Sequence, residues 1–324
     1  MRSIREEKDR TPTERDAAGL VRRVLGTEAR AVVRFPTGLA HYVYDVVLDD
    51  GRRVVARLAR AGAGGAFAGG AFWSERLRPL GVPLPRLLSV EDRPSSGDFP
   101  FMLLERLPGR DLFYEYPGLS SAQKREVVRR IVGIQRAVGE LPLGLGFGFA
   151  ASRDDPSLHA AWIDVLHDGL RRSRDRIQEI GAVATDHVDR VEERVAASQP
   201  LLATVGPVCF LDDTTTKNVL IDEGRLSGIV DVDAVCFGDP LYTPALTWMS
   251  LLSAGYDTDY VAYWADELGL DDQRRALLAL YTAVHGVGFL SELGQRFNKE
   301  TAPAVDPAEV AHLETILDGL LART

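Results

Sequence analysis

The chain has 324 residues, with 47 Asp and Glu against 38 Lys and Arg, a formal net charge of −9. Hydrophobic residues make up 45% and charged residues 26%, which fits a folded globular chain and argues against a disordered or membrane-embedded class. The acidic balance supplies no basic patch to neutralise phosphates, so nucleic acid is not an expected partner; it would weakly attract a cationic small molecule, although an acidic surface kept for solubility explains it equally well.

Met1 to Arg10 is charged and lacks an apolar stretch, and no uncharged apolar run approaches the length of a membrane span. No membrane partner is expected, and the cytoplasm is the expected compartment. Strand-like runs follow at Ala31 to Phe35, Tyr42 to Leu48, Arg53 to Leu58, Leu87 to Val90 and Phe101 to Leu104. Asp49-Asp50-Gly51-Arg52 reads as a tight hairpin turn between the second and third. The Gly/Ala-rich run Ala61 to Gly70 reads as a mobile loop, because glycine loses the most entropy on ordering, and Ala71 to Leu80 reads as a helix.

From Ser121 the text turns helical, with Val127, Val128, Ile131, Val132 and Val138 spaced for one buried face. Helix patterns recur at Ser157 to Ile180, Thr185 to Ala197, Tyr260 to Leu268 and Asp271 to Leu293. The last, Pro307 to Leu321, opens with Asp306 as N-cap and Pro307 at the first position. Val208 to Leu211, Val219 to Ile221 and Leu226 to Val230 are short strands embedded among them. Cys209 and Cys236 lie inside apolar runs without metal-ligand spacing and read as buried thiols of a reducing compartment. The fold class that follows is α+β, a small β-rich lobe before a larger helical one, with a cleft between them to hold a ligand.

The chemistry concentrates in Phe210-Leu-Asp-Asp-Thr-Thr-Thr-Lys-Asn-Val-Leu, then Gly228-Ile-Val-Asp-Val-Asp, then Gly238-Asp-Pro. Phosphoryl transfer needs a carboxylate to orient or deprotonate the acceptor and oxygen ligands for Mg²⁺. Asp213, Asn218 five positions on, and Asp231 after a hairpin supply that set. Alone, an Asp-Asp loop is more often a solvated turn; in register with the other motifs the functional reading is preferred.

On these residues the sequence resembles the aminoglycoside phosphotransferase family of small-molecule kinases, which shares the protein-kinase-like fold. The resemblance implies a bilobal molecule: residues 1–106 as an antiparallel, nucleotide-binding N-terminal lobe and 107–324 as a mainly helical lobe for catalysis and the acceptor. It places Asp213 on the catalytic Asp, and Asn218 and Asp231 on the magnesium ligands. Gly238-Asp239-Pro240 matches the family's Gly-Asp-Pro, with Asp239 structural. Gly38 to Val46 looks like the phosphate-covering turn, which puts Gly38 at the nucleotide. Arg57 stands where protein kinases carry a phosphate-contacting Lys, with Glu75 as its candidate partner, and Phe101 to Gly109 looks like the strand and hinge whose backbone at Glu105 to Leu107 receives the purine. The implied cofactors are ATP or GTP with Mg²⁺, and the implied partner is a small hydroxylated acceptor such as an aminoglycoside-type antibiotic.

The chain departs from the family's His-Gly-Asp, reading Leu211-Asp212-Asp213. A nucleotide-binding pseudokinase with a scaffold or sensor role is the competing reading. Asp212 and Asp233 could support the site, but the turn-residue reading is preferred for both. His41 reads as a surface group, and Trp162, Tyr242 and Trp248 as core. Gly144-Leu-Gly-Phe-Gly does not follow a strand and is no dinucleotide fingerprint.

Overall fold

The computed structural model describes residues 10–36, 41–94, 98–297 and 301–324. The expectation for Gly38 lies outside them. Helix α1 (Glu14–Leu25) starts at Thr13, whose hydroxyl and the Asp16 carboxylate form a reciprocal capping box, and ends at a left-handed Gly26. Its apolar face, Ala17, Leu20 and Val21, is diluted among charges, and nothing in the sequence reading anticipates it.

Five antiparallel strands follow: β1 (Ala29–Arg34), β2 (Tyr42–Leu48), β3 (Arg53–Leu58), β4 (Leu87–Glu91) and β5 (Phe101–Glu105), ordered β1-β2-β3-β5-β4. The Asp49–Arg52 turn closes as expected, Leu48 donating to Arg52 O at 2.8 Å and Gly51 to Leu48 O at 2.9 Å. Alternation decides what faces where. Tyr42, Tyr44, Val46 and Leu48 of β2 and Val54, Ala56 and Leu58 of β3 turn to one face and pack with Ala17, Leu20 and Val21. Arg57, one residue out of phase, turns to the other.

Between β3 and β4 lies α2 (Ala68–Leu77). It begins three residues earlier than expected, and the expectation of a mobile Ala61 to Gly70 run needs correction. Phe67 is fully buried, its N–H donating to Asp92 Oδ1 at 2.8 Å, and Gly69 and Gly70 are buried in the first turn of the helix. A Cβ on Gly69 would lie 2.1 Å from the carbonyl oxygen of Asp233, and one on Gly70 would lie 2.7 Å from Asp233 Oδ1. Gly69 and Gly70 serve close packing, while residues 61–66 form an exposed or half-exposed connection outside the helix.

The rest of the chain runs β6 (Arg110–Asp111), α3 (Leu112–Glu115), α4 (Ser121–Gly139), β7 (Gly148–Ala150), α5 (Trp162–Ile180), α6 (Asp186–Ala197), α7 (Gln199–Leu202), β8 (Val208–Phe210), β9 (Val219–Asp222), β10 (Arg225–Ile229), β11 (Val235–Gly238), α8 (Tyr242–Ser253), α9 (Asp259–Glu267), α10 (Asp272–Glu292) and α11 (Pro307–Leu321). Helix α5 starts at Trp162, not Ser157, because Asp155 draws the Ser157 N–H and hydroxyl into a turn at 3.0 and 2.6 Å. The strands form two small sheets, β10-β9-β6 and β7-β11-β8. One apolar core joins Trp73 and Leu77 of α2 to α4, α5, α8, α10 and α11, and both cysteines are buried and free. Among the described residues no helix is long and apolar enough to cross a membrane.

Trp162 and Tyr242 belong to this core, packed edge-on against each other and around Tyr281. Asp239 is structural here. Buried, it accepts both guanidinium nitrogens of Arg274 at 3.0 and 2.9 Å, the Tyr281 hydroxyl at 3.0 Å and the Leu241 N–H at 3.1 Å. Gly238 before it must lack a side chain, since a Cβ would stand 2.2 Å from the Trp162 ring.

Candidate active site

Two loops meet where the small sheets end. One leaves β8 and runs through Leu211 to Asn218 into β9; the other leaves β10 and runs through Asp231 and Asp233 into β11. Pairing of β9 with β10 sets them side by side, and Val230 N–H donates to Asn218 O at 2.9 Å. The side-chain amide of Asn218 donates to Asp213 O at 3.0 Å, which leaves its oxygen as an available ligand. Thr215 Oγ1 donates to Asp213 Oδ1 at 3.1 Å. Thr216 anchors the loop to α8 through Ser250 Oγ at 2.6 Å and to α3 by accepting the Phe113 N–H at 2.8 Å. The three residues expected to act together are thus brought together.

Solvent reaches Asp213, which is exposed, although protein surrounds its carboxyl on several sides. Burial, then the charge of Asp231, push its pKa up to about 6, against the lowering pull of Thr215, Asn218 and Lys217. Asp212 is half-buried; burial and the adjacent Asp213 charge push it up to about 7. Asp231 has a left-handed backbone, φ 62°, a conformation uncommon outside glycine and tolerated best by Asp and Asn.

Arg57 crosses from β3 to this loop. Its Nη1 and Nη2 grip Asp233 Oδ1 and Oδ2 at 2.8 and 2.6 Å, and Nη2 also reaches Asp231 Oδ1 at 2.6 Å. The Arg57 side chain is 7% exposed, against 30% for Asp233 and 52% for Asp231. His41 Nε2 lies 3.4 Å from Asp233 Oδ2, with its ring 4.7 Å from that of Phe67. Burial alone would raise the pKa of Asp233, but the His41 hydrogen bond and the Arg57 charge outweigh it and take the group down to about 2.

These contacts correct three expectations. Asp233 is no turn residue: it is the bidentate partner of the strand cation. His41 belongs to that network and is no free surface group. Glu75, the candidate partner of Arg57, instead has a side chain 84% exposed on α2, where its carboxylate lies 3.8 Å from Arg76. The helix turns Trp73 and Leu77 inward, so Glu75 points away from the cleft. Only geometry could reveal the substitution, because 176 residues separate Arg57 from Asp233.

At the expected purine segment, Glu105 N–H donates to Arg86 O at 2.9 Å across the sheet, and the Leu107 carbonyl accepts Arg106 Nη1 at 2.6 Å. Among the described residues no group of three His, Cys or acidic side chains could enclose a metal by itself. One amide oxygen and one half-exposed carboxylate match the chemistry of Mg²⁺, which keeps several waters and completes its shell with substrate phosphates. Asn218 and Asp231 fit that group.

A sequence model described as the phosphotransferase enzyme family matches residues 31–279. No curated protein sequence matches the chain. Among solved structures, a thermostable mutant of the aminoglycoside phosphotransferase APH(4)-Ia, in ternary complex with AMP-PNP and hygromycin B, is 15% identical with a TM-score of 0.65, covering 95% of this chain and 98% of that one. A putative fructosamine-3-kinase from Thermobifida fusca YX-ER1 is 18% identical at a TM-score of 0.61, covering 94% and 97%. The GDP complex of a mutant aminoglycoside 2'-phosphotransferase-IIIa is 16% identical at 0.63, covering 96% and 98%. These likenesses establish the protein-kinase-like α+β fold, with its antiparallel sheet toward the N-terminus.

Proposed function

The chain belongs to the phosphotransferase enzyme family, and from that premise we propose that it moves the γ-phosphoryl group of magnesium-bound ATP or GTP to a hydroxyl of a small molecule. The observation that carries the reading is the meeting of Asp213, Asn218 and Asp231 in two loops joined by the Asn218–Asp213 and Val230–Asn218 hydrogen bonds. Residues 1–106 would hold the nucleotide and 107–324 the acceptor.

On this reading Asp213 orients the acceptor hydroxyl and takes its proton while the hydroxyl oxygen bonds to the γ-phosphorus and the bond to the β–γ bridging oxygen breaks. Thr215 holds one carboxylate oxygen of Asp213, which aims the other. Arg57, held by Asp233 and Asp231, would add its charge beside the phosphates, and the backbone around Glu105 to Leu107 would seat the purine. Asn218 and Asp231 would hold Mg²⁺, which when bound would supply positive charge to offset that developing on the phosphates.

Two of the similar structures bear names or ligands that are polyhydroxylated amines, hygromycin B and fructosamine. With the acidic balance of this chain, an amine-bearing polyol, including an aminoglycoside-type antibiotic, is the acceptor class we favour. The protein would act in the cytoplasm. Turnover of Mg-ATP and Mg-GTP against a panel of aminoglycosides, ketosamines, amino alcohols, macrolides and neutral sugars tests this; nucleotide binding without turnover on any of them would favour the pseudokinase reading, to which Leu211-Asp212 lends support.

A further inference from the structure

Leu211 offers no polar side chain, yet its backbone is tied on both sides. The carboxamide of Gln135, on α4, donates from Nε2 to Leu211 O at 2.7 Å and accepts the Leu211 N–H on Oε1 at 3.0 Å. The same carbonyl accepts Thr214 Oγ1 at 3.2 Å and Thr243 Oγ1, at the start of α8, at 2.9 Å. A side-chain amide is the neutral group that can donate and accept in one plane, so Gln135 imitates a neighbouring strand just where β8 ends. Its helix is a firm base: Val127, Val128, Ile131 and Val132 are buried and Ser120 with Gln123 closes a capping box at the start.

We propose that Gln135 is a positioning residue of this active site, fixing Leu211 through its backbone at the start of the loop, as Thr216 does further along, so that Asp213, two residues on, is held at the acceptor. The inference rests on the phosphotransfer reading given above, but its structural half stands apart from it. Asp213 reaches the rest of the protein through short-range loop bonds from Thr215 and Asn218, and those bonds fix it only relative to the loop. The Gln135 clamp and the Thr243 hydroxyl fix the loop to two helices. Misplacing a catalytic group by about 1 Å can cost on the order of 10²-fold in rate.

The test compares wild type with Gln135→Leu, which removes both bonds at similar volume. Amide exchange of residues 211–216, Mg-ATP affinity, Tm, and kcat and KM on whichever acceptor the wild type phosphorylates are measured. We expect exchange in the loop to quicken by tenfold or more, kcat to fall by about 10- to 100-fold, and KM and nucleotide affinity to stay within about twofold. Loop exchange equal to wild type, or a fall in rate that only tracks the folded fraction, overturns the proposal. Should Gln135→Leu not fold, Gln135→Glu, which keeps the acceptor and loses the donor, and Thr243→Val must each quicken loop exchange, and no change in either overturns it. The exchange measurement needs no acceptor, so failure of the phosphotransfer reading and failure of this one are told apart.

Discussion

Arg57 and Asp233 form a two-pronged ion pair, 2.8 and 2.6 Å long, between the five-stranded sheet and the loop that carries Asp231. Breaking a buried pair from one side leaves an uncompensated charge and costs about 3–5 kcal/mol when both partners are dry, less here because water reaches Asp233 and Arg57 keeps its bond to Asp231. Asp233→Ala is therefore expected to lower Tm and to weaken Mg-ATP binding by tenfold or more. Glu75→Ala should leave both within about twofold. Calorimetry on the two variants decides between the carboxylates.

Asp213→Ala should leave Mg-nucleotide affinity nearly unchanged while turnover collapses by about 10²- to 10⁴-fold, or roughly 3–5 kcal/mol of barrier. Asp212→Ala is the control, removing a similar charge one residue away. Equal losses in the two would assign the effect to the loop as a whole.

Nucleotide binding should need a divalent cation. With chelator, only Arg57 offsets the Asp231 carboxylate against phosphate, and affinity should drop at least tenfold; in Asp231→Ala the difference between Mg²⁺ and chelator should shrink toward nothing. Titration calorimetry with ATP in both conditions measures it. Equal affinity in chelator with no loss in Asp231→Ala would remove the metal assignment.

Activity should fall on the acid side. Burial and the Asp231 charge hold the Asp213 pKa up at about 6, and the base works only ionised, so kcat/KM should lose its plateau as pH drops through about 6. In the Mg-nucleotide complex the cation offsets Asp231, so the limb in kcat should lie at lower pH. Stability runs the other way at Asp212: its folded value of about 7 lies above the ordinary 3.8, so its ionisation opposes folding increasingly as pH rises between them. Asp212→Asn should gain Tm relative to wild type over that interval. Asp233, held at about 2, contributes stability above its ordinary value and loses it only as pH falls toward 2.

Amide exchange should divide the Gly/Ala-rich segment in two. Residues 61–65, exposed apart from Ala61, should exchange quickly, whereas 71–77, within α2, should be protected. Uniformly fast exchange through residue 77 would contradict the packing of Phe67 and Gly70.

Much of this was legible in residue order. β2 and β3 fall where alternation and the Asp-Asp-Gly turn put them, because a half-buried strand repeats every two residues. Helix α11 announces itself through Asp306 and Pro307. Helix α8 is absent from the reading because it is apolar on nearly every side and so has no periodic face. At the site, Asp213, Asn218 and Asp231 stand close in sequence and can be read as a set. Asp233 and Gln135 act across 176 and 76 residues, where local pattern carries no information about contact.

The close seating of α2 on the Asp233 loop has a consequence for how this chain can vary. Gly69 and Gly70 have no side chain, yet one at Gly69 would push on the Asp233 backbone carbonyl and one at Gly70 on the carboxylate that restrains Arg57. In a saturation library scored for nucleotide binding, these two positions should tolerate substitution as poorly as the charged residues behind them. An alignment of active variants would then mark them as invariant without their having any chemistry of their own.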